Sequence, residues 1–128
     1  MPERIKNVAS ENIIVIDTIK DSTEFYNSYD IMLVPLWSGS GLRIKLVEGL
    51  AYGKAIITTS IGAEGIEYEK NKDLLIADTS EEFANAILSL IGNATLKLNL
   101  QKAARNLAEK YFDYKVNASK LIAFYKTL

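Results

Sequence analysis

The chain has 128 residues, which is enough for one domain that buries about two thirds of its unfolded surface. Its 15 basic and 16 acidic side chains give a net charge of -1, so nucleic-acid binding is not expected as its main function. It has no cysteine and no histidine, which excludes disulfides, thiolate catalysis and the commonest general base from this chain. No apolar run reaches the ~20 residues that span a bilayer and no signal peptide is recognisable, so we expect a cytoplasmic location.

Four short apolar runs ahead of Thr79 predict strands, at residues 13–16, 31–36, 55–59 and 74–77. They are rich in isoleucine and leucine, which is typical of strands that are covered on both faces. Between the strands the sequence predicts helices, the first of which is capped by Asp21 and runs through Phe25 and Tyr29. Because strands alternate with helices, we predict an α/β fold with a parallel, Rossmann-like sheet and helices on both faces.

The chain from Thr79 onward is predicted to be helical. A first helix is capped by Thr79 or Ser80 and stops at residues 92–93, a second ends near residues 111–112, and a third covers residues 113–126. Each helix carries apolar residues every three or four positions, as packing on one face requires. Since no internal repeat or second domain is recognisable, we expect residues 1–128 to form a single lobe with a helical C-terminus.

Residues 38–48 connect the second predicted strand to a helix, and small residues dominate the connection. Gly39, Ser40 and Gly41 precede the helix, whose apolar spacing continues to Gly53. The first turn of a helix leaves backbone N–H groups unbonded and carries a partial positive charge, so it suits an anion such as phosphate. Similar residues are also common in plain turns that cap a helix, and this pattern alone leaves both interpretations open.

A helical wheel of residues 42–53 separates an apolar face from a polar one. The apolar arc, which is predicted to cover the sheet, comprises Leu42, Ile44, Leu46, Val47, Leu50 and Ala51. Lys45, Glu48 and Tyr52 lie on the opposite side, although a Lys–Glu pair at this spacing is often a solvated one worth ~0.5 kcal/mol or less. Arg43 falls inside the apolar arc, where a charge is tolerable if the first turn projects past the carboxyl end of the sheet. Open α/β folds bind ligands at that edge, so we expect Arg43 to meet a phosphate there.

From Asn12 onward, the chain resembles the C-terminal half of GT-B-fold glycosyltransferases of the large group 1 family, also called family four. The resemblance rests on residues 34–36, 39–53 and 55–66, which match the family's pattern in order and nearly without gaps. Residues 111–114 resemble the junction before the family's last helix. The resemblance implies a lobe that binds a nucleotide-sugar donor, within an enzyme of hexosyltransferase type that could serve polysaccharide biosynthesis.

The resemblance assigns the loop before the helix to the donor substrate. Gly41 and Leu42 would offer backbone N–H groups to the diphosphate, and Gly39 and Ser40 would border the same ligand. The family often has a second glutamate in this loop, at the place where this chain has Ser40. That departure leaves the contact to the transferred sugar unassigned.

The resemblance assigns the helix to the diphosphate and the ribose. Lys45 and Arg43 would act as the catalytic cations that stabilise the departing nucleoside diphosphate, and Glu48 would accept hydrogen bonds from the ribose hydroxyls. No metal and no other cofactor is implied, and the sequence has no Asp-x-Asp pair that would suggest a metal.

Two further segments are expected near the donor. Asp17, Thr18 and Ile19 correspond to the part of the family's fold that packs near the base, although a plain strand-to-helix turn explains them equally well. Asp17 replaces a glycine that is common in the family. Residues 62–64 would form a second loop that borders the same cleft.

The family's enzymes have two lobes, and the N-terminal one largely carries the acceptor site. We expect that lobe to be absent from this chain, so the isolated chain should be inactive and its partner would be the N-terminal lobe of the same enzyme. An acceptor at the cytoplasmic membrane surface is compatible with the family.

One alternative to a glycosyltransferase is another nucleotide-sugar enzyme of this fold, such as an epimerase. A non-catalytic signalling module is a third, but it would need an aspartate at the end of the third strand, where residues 58–60 are Thr-Thr-Ser.

Overall fold

The computed structural model describes residues 3–128, which form six helices and three strands. The elements in chain order are α1 (Glu3–Lys6), α2 (Ser22–Asn27), β1 (Ile31–Val34), α3 (Ile44–Ala51), β2 (Ala55–Thr58), β3 (Leu75–Ile76), α4 (Ser80–Gly92), α5 (Ala94–Tyr111) and α6 (Tyr114–Tyr125). The strands form one parallel sheet in the order β1-β2-β3, in which Ile31 pairs with Ala55 and Ile57 pairs with Leu75. Every strand pairing therefore requires a crossover connection through a helix or a long loop.

The central strand β2 is fully buried because helices cover the sheet from both sides. Ile56 packs into a cluster with Leu46 and Leu50 of α3 and with the second half of α5. Ala55 and Ile57 point to the opposite face, since successive side chains of a strand alternate. Helices α4 and α5 cover that face with Phe83, Leu90 and Leu100. The predicted α/β fold with helices on both faces is confirmed.

The helix starts predicted from capping residues are confirmed by hydrogen bonds. Thr79, rather than Ser80, caps α4: its hydroxyl accepts from the Glu82 N–H, 3.2 Å away, and the Glu82 carboxylate accepts from the Thr79 N–H at 3.0 Å. The Asp21 side chain likewise caps α2. The Asp113 side chain caps α6, at a start that was predicted without naming a cap. Such caps satisfy N–H groups that the helix itself leaves unbonded, which explains why the sequence predicts them well.

The strand predicted at residues 13–16 is wrong. Ile13 makes an isolated bridge to Ser10, and Ile14 is 80% exposed. A cavity of about 830 Å³ lies between this segment and β1, lined by Ile14 and Ile16 from one side and Met32 from the other. Within residues 3–128 no neighbouring strand pairs with the segment, so its β-branched run has no ladder to join.

Several element boundaries and faces also differ from the prediction. Helix α3 begins at Ile44, so Leu42 and Arg43 precede it and were placed wrongly on the helical wheel. Leu42 is 46% exposed and Ile44 is 71% exposed, which contradicts their place in the buried arc. Helix α6 contains no buried residue, and apolar side chains such as Leu121 are exposed along it. None of the helices in the described part of the chain is long and apolar enough to cross a membrane.

Candidate functional site

The connections that follow the three strands meet at the carboxyl edge of the sheet. The Trp37 indole N–H donates to the backbone carbonyl of Asp78 at 2.8 Å. The backbone N–H and the hydroxyl of Ser60 both donate to the Asp78 carboxylate, at 2.8 and 2.7 Å, and the backbone bond holds the pKa of Asp78 below its usual range. The Thr59 hydroxyl donates to the carbonyl of Leu36. These bonds join the three connections into one surface at the edge where open α/β folds bind ligands.

The loop after β2 lies directly beside the loop before α3. A Cβ at Gly65, where φ is +83°, would be 3.6 Å from the backbone nitrogen of Leu42. Gly62 is buried and donates from its N–H to the Thr59 hydroxyl at 2.9 Å. The two loops therefore pack against each other at Gly65 and Leu42, and the role of residues 62–64 at the border of the donor site stays a prediction.

The loop before α3 needs glycine at two positions. Gly39 has a φ of +116° and Gly41 a φ of +83°, which other residues rarely adopt. A Cβ at Gly39 would also lie 2.8 Å from a guanidinium nitrogen of Arg43, so the side chain of Arg43 packs tightly beneath the loop. Nothing lies within 4 Å of a Cβ built at Gly41, which leaves the backbone open on that side.

Arg43 occupies the N-cap position of α3 and makes no side-chain hydrogen bond to the helix start. Its Nη1 donates to the carbonyl of Ser40 at 2.5 Å. Within residues 3–128 its Nε and Nη2 atoms are enclosed and have no hydrogen-bond partner. An enclosed donor without an acceptor is costly, and a guanidinium is well suited to an anionic one. The amino end of α3 thus combines an uncapped helix start with an incompletely bonded cation.

Lys45 and Glu48 form the polar face of α3 as the spacing predicts. The Lys45 ammonium donates to Oε2 of Glu48 at 2.9 Å, and this bond is the main reason that the pKa of Glu48 lies below its usual range. The pair is open to solvent, since the side chains are 71% and 37% exposed. An exposed pair of this kind contributes ~0.5 kcal/mol, so either partner can exchange it for a ligand.

Helix α2 contributes a second hydrogen-bond donor to the Glu48 carboxylate. The hydroxyl of Tyr26 on α2 donates to Oε2 of Glu48 at 3.0 Å. Burial, followed by this bond, raises the pKa of Tyr26 to about 12. The Tyr26 ring stacks on Tyr52 at a centroid distance of 4.6 Å, and the Tyr52 hydroxyl is hydrogen-bonded to that of Thr23 at 2.9 Å. Helix α2 is therefore fastened to the polar face of α3.

The segment expected near the base, residues 17–19, lies in the connection between α1 and α2. Asp17, Thr18 and Ile19 are exposed and belong to no helix or strand. Ile19 lines the cavity of about 830 Å³ beside β1, and Lys45 lines the same cavity. The cavity therefore extends from this segment to the first turn of α3, where the expected diphosphate-binding residues are.

Three residues at or near the site were missed by the sequence reasoning: Tyr26, Trp37 and Asp78. Trp37 and Asp78 directly follow the strands predicted at residues 31–36 and 74–77, so their positions at the carboxyl edge could have been inferred. No pattern in the sequence links Tyr26 to Glu48, since they lie on different helices. Within residues 3–128 no three acidic side chains are close enough together to hold a metal ion. Metal independence of the site stays a prediction.

A parallel sheet with helices on both faces, a glycine loop at its carboxyl edge and a helical C-terminus define the C-terminal lobe of a GT-B fold. Solved structures of similar shape support this class. HepE of Anabaena, in complex with UDP, has a TM-score of 0.74 and 17% identity, covering 86% of this chain and 31% of that one. The C-terminal domain of a group 1 glycosyl transferase of Francisella tularensis has a TM-score of 0.64 and 24% identity, covering 77% and 53%.

A family model described as "Glycosyl transferases group 1" matches residues 1–93. The chain belongs to the group 1 glycosyltransferase family. An uncharacterized glycosyltransferase of Methanocaldococcus jannaschii is 30% identical over 88 residues, which are 67% of this chain. The chain spans 27% and 22% of the length of two curated relatives that it matches. Membership of the family identifies a glycosyltransferase domain and disfavours the epimerase-like and signalling alternatives.

Proposed function

We propose that residues 1–128 form the donor-binding lobe of a hexosyltransferase, which takes the sugar from a nucleoside-diphosphate sugar. The observation that carries this proposal is the uncapped amino end of α3, beside the incompletely bonded guanidinium of Arg43 and the exposed ammonium of Lys45. Unbonded N–H groups, a positive helix end and two cations are suited to a diphosphate. The UDP bound by HepE of Anabaena is consistent with this ligand class.

The diphosphate would lie over the glycine loop and the first turn of α3. Gly41 and Leu42 would donate backbone N–H groups to it, and the open side of Gly41 gives a phosphate access to the backbone. Gly39 and Ser40 would border the same ligand. Lys45 would exchange its solvated pair with Glu48 for a phosphate oxygen, since a hydrogen bond between charged groups is worth ~1.5–3 kcal/mol when partly desolvated.

Glu48 would bind the ribose. Tyr26 and Lys45 both donate to Oε2 of its carboxylate, so Oε1 remains to accept hydrogen bonds from the ribose hydroxyls. Its lowered pKa keeps the side chain ionised, and therefore an acceptor, at neutral pH. The base would lie near Asp17, Thr18 and Ile19, at the far end of the cavity that Lys45 also lines.

Catalysis would depend on stabilising the departing nucleoside diphosphate. Negative charge develops on its phosphate oxygens as the sugar leaves. The amino end of α3 and the enclosed guanidinium of Arg43 would be fixed in advance near that charge, and Lys45 would turn from Glu48 to meet it. We propose that no metal or other cofactor takes part. An N-terminal lobe of the same enzyme would hold the acceptor, at the cytoplasmic membrane surface for polysaccharide biosynthesis, so the isolated chain would bind the donor without transferring the sugar.

The test is calorimetric titration of the chain with UDP, GDP and ADP, in buffer that contains a metal chelator. We expect one diphosphate to bind, and we expect Lys45→Ala and Glu48→Ala each to weaken its binding by about tenfold or more. Lys72→Ala is the control, because the Lys72 side chain is similarly exposed and also pairs with a glutamate three residues away, Glu69, in the connection that leads into β3. If no diphosphate binds, or if Lys45→Ala binds as well as Lys72→Ala, the proposal is wrong.

A further inference from the structure

The carboxylate assigned to the ribose is held by two donors that differ in rigidity. Lys45 approaches Glu48 from the same helix, and its side chain is 71% exposed. Tyr26 approaches from α2, and the residue is 8% exposed. A long solvated ammonium changes its rotamer easily, whereas a buried ring is held in place by its neighbours. The two hydrogen bonds to Oε2 therefore constrain Glu48 to different degrees.

The Tyr26 hydroxyl is fixed by contacts on both helices. Its ring is nearly parallel to that of Tyr52, with 11° between the planes, and it also meets Phe25 edge-on at 6.1 Å. The Tyr52 hydroxyl is bonded back to Thr23 in the first turn of α2. Because burial raises the pKa of Tyr26, its hydroxyl keeps its proton at neutral pH and remains a donor.

When a diphosphate binds, we expect Lys45 to leave Glu48 and Tyr26 to stay hydrogen-bonded to it. The proposed function moves the Lys45 ammonium from Glu48 to a phosphate oxygen, which removes one of the two bonds to Oε2. Tyr26 cannot follow, since its ring is packed between helices. The hydroxyl of Tyr26 would then be the donor that keeps the Glu48 carboxylate from rotating into solvent.

We propose that Tyr26 is a positioning residue, which holds Glu48 with Oε1 directed at the ribose hydroxyls while Lys45 binds the diphosphate. This inference rests on the proposed function and assigns to α2 the task of positioning Glu48. It implies that the Tyr26 hydroxyl affects recognition of the ribose diol specifically, rather than the affinity for diphosphates in general.

The experiment uses whichever of UDP, GDP and ADP binds best and compares it with its 2′,3′-dideoxy counterpart. The measured quantity is the ratio of the two dissociation constants in the wild-type chain and in Tyr26→Phe, which keeps the stacked ring and removes the hydroxyl. We expect a wild-type ratio of about ten or more in favour of the ribose, and a ratio about three- to tenfold smaller in Tyr26→Phe. Affinity for the dideoxy ligand should be unchanged.

Tyr114→Phe is the control, because Tyr114 opens α6, is 74% exposed and is not among the residues that line the cavity of about 830 Å³. Its ratio should equal that of the wild type, and melting curves of both variants show whether the fold is kept. A Tyr26→Phe ratio equal to the wild-type ratio overturns the inference, as does an equal loss of affinity for both ligands. A wild-type ratio near one instead overturns the ribose role of Glu48, so the two failures are distinguishable.

Discussion

Gly62 lies at a contact where a single methyl group should be costly. An added Cβ would overlap the hydroxyl oxygen of Thr58 and would lie 3.2 Å from that of Thr59 and 3.3 Å from the carbonyl oxygen of Val34. Thr58 and Thr59 are 0% and 1% exposed, and the Thr58 hydroxyl donates to Val34 across the β1-β2 pair at 3.0 Å. None of these atoms is the end of a long flexible side chain, so the neighbours have little room to move.

Gly62→Ala should therefore destabilise the chain. Either Thr58 rotates and loses its bond to Val34, or the loop moves outward and Gly62 loses its bond to Thr59. One lost hydrogen bond and the overpacking together amount to ~2–4 kcal/mol. For a chain of this length that lowers the melting temperature by about 8–16 °C, which circular dichroism measures directly.

Two further variants make the experiment decisive. Gly92→Ala is the control, because nothing lies within 4 Å of a Cβ built at Gly92 at the end of α4, so it should melt at or above the wild-type temperature. Thr58→Ala removes the oxygen that the new methyl group would overlap, so Gly62→Ala should cost at least ~1 kcal/mol less in that background. If Gly62→Ala melts together with Gly92→Ala, the steric argument is refuted.

Two other predictions concern local interactions. The pKa of Tyr26 is raised from 10.0 to about 12, so its contribution to stability is fully present below pH 10 and is lost as the pH rises towards 12. The tyrosinate absorbance of the wild type should show a step near pH 12 that Tyr26→Phe lacks. A difference between the two that titrates near pH 10 would contradict the burial of that hydroxyl. Thr79→Ala should destabilise the chain to urea by ~1 kcal/mol because it breaks the capping box of α4, whereas the same loss in Ser80→Ala would show that the cap was wrongly assigned.

The parts of the fold that the sequence predicts well are those determined by neighbouring residues. Asp21 and Thr79 cap helices through bonds to N–H groups two or three residues away, so each of these two starts is visible in the sequence. The strand predicted at residues 13–16 is not formed, because its formation depends on residues far away in the sequence. A strand is stabilised by a partner that lies elsewhere in the chain, and isoleucines without such a partner remain exposed.

The same distinction divides the candidate site. The glycines of the loop and the Lys45–Glu48 pair follow from local spacing, and both are found where the sequence predicts them. Arg43 was expected at the carboxyl edge from its place on the helical wheel, but it precedes the helix as its N-cap, and that position depends on where the helix begins. The hydrogen bond from Tyr26 to Glu48 depends on how α2 packs on α3. The periodicity of each helix shows its apolar face but not which residues of the two helices meet.

The parallel register of the sheet has a consequence for the order of folding. Ile31 pairs with Ala55 and Ile57 with Leu75, so no strand pair can start from a tight hairpin, and each must close a long loop first. Helices α4 and α5, whose backbone hydrogen bonds join residues close in sequence, should form early, while the sheet should assemble in the slow step. The carboxyl edge depends on Asp78 meeting Ser60 and Trp37, so it is complete only after β3 has docked. Recovery of ligand binding during refolding should therefore lag behind recovery of helicity.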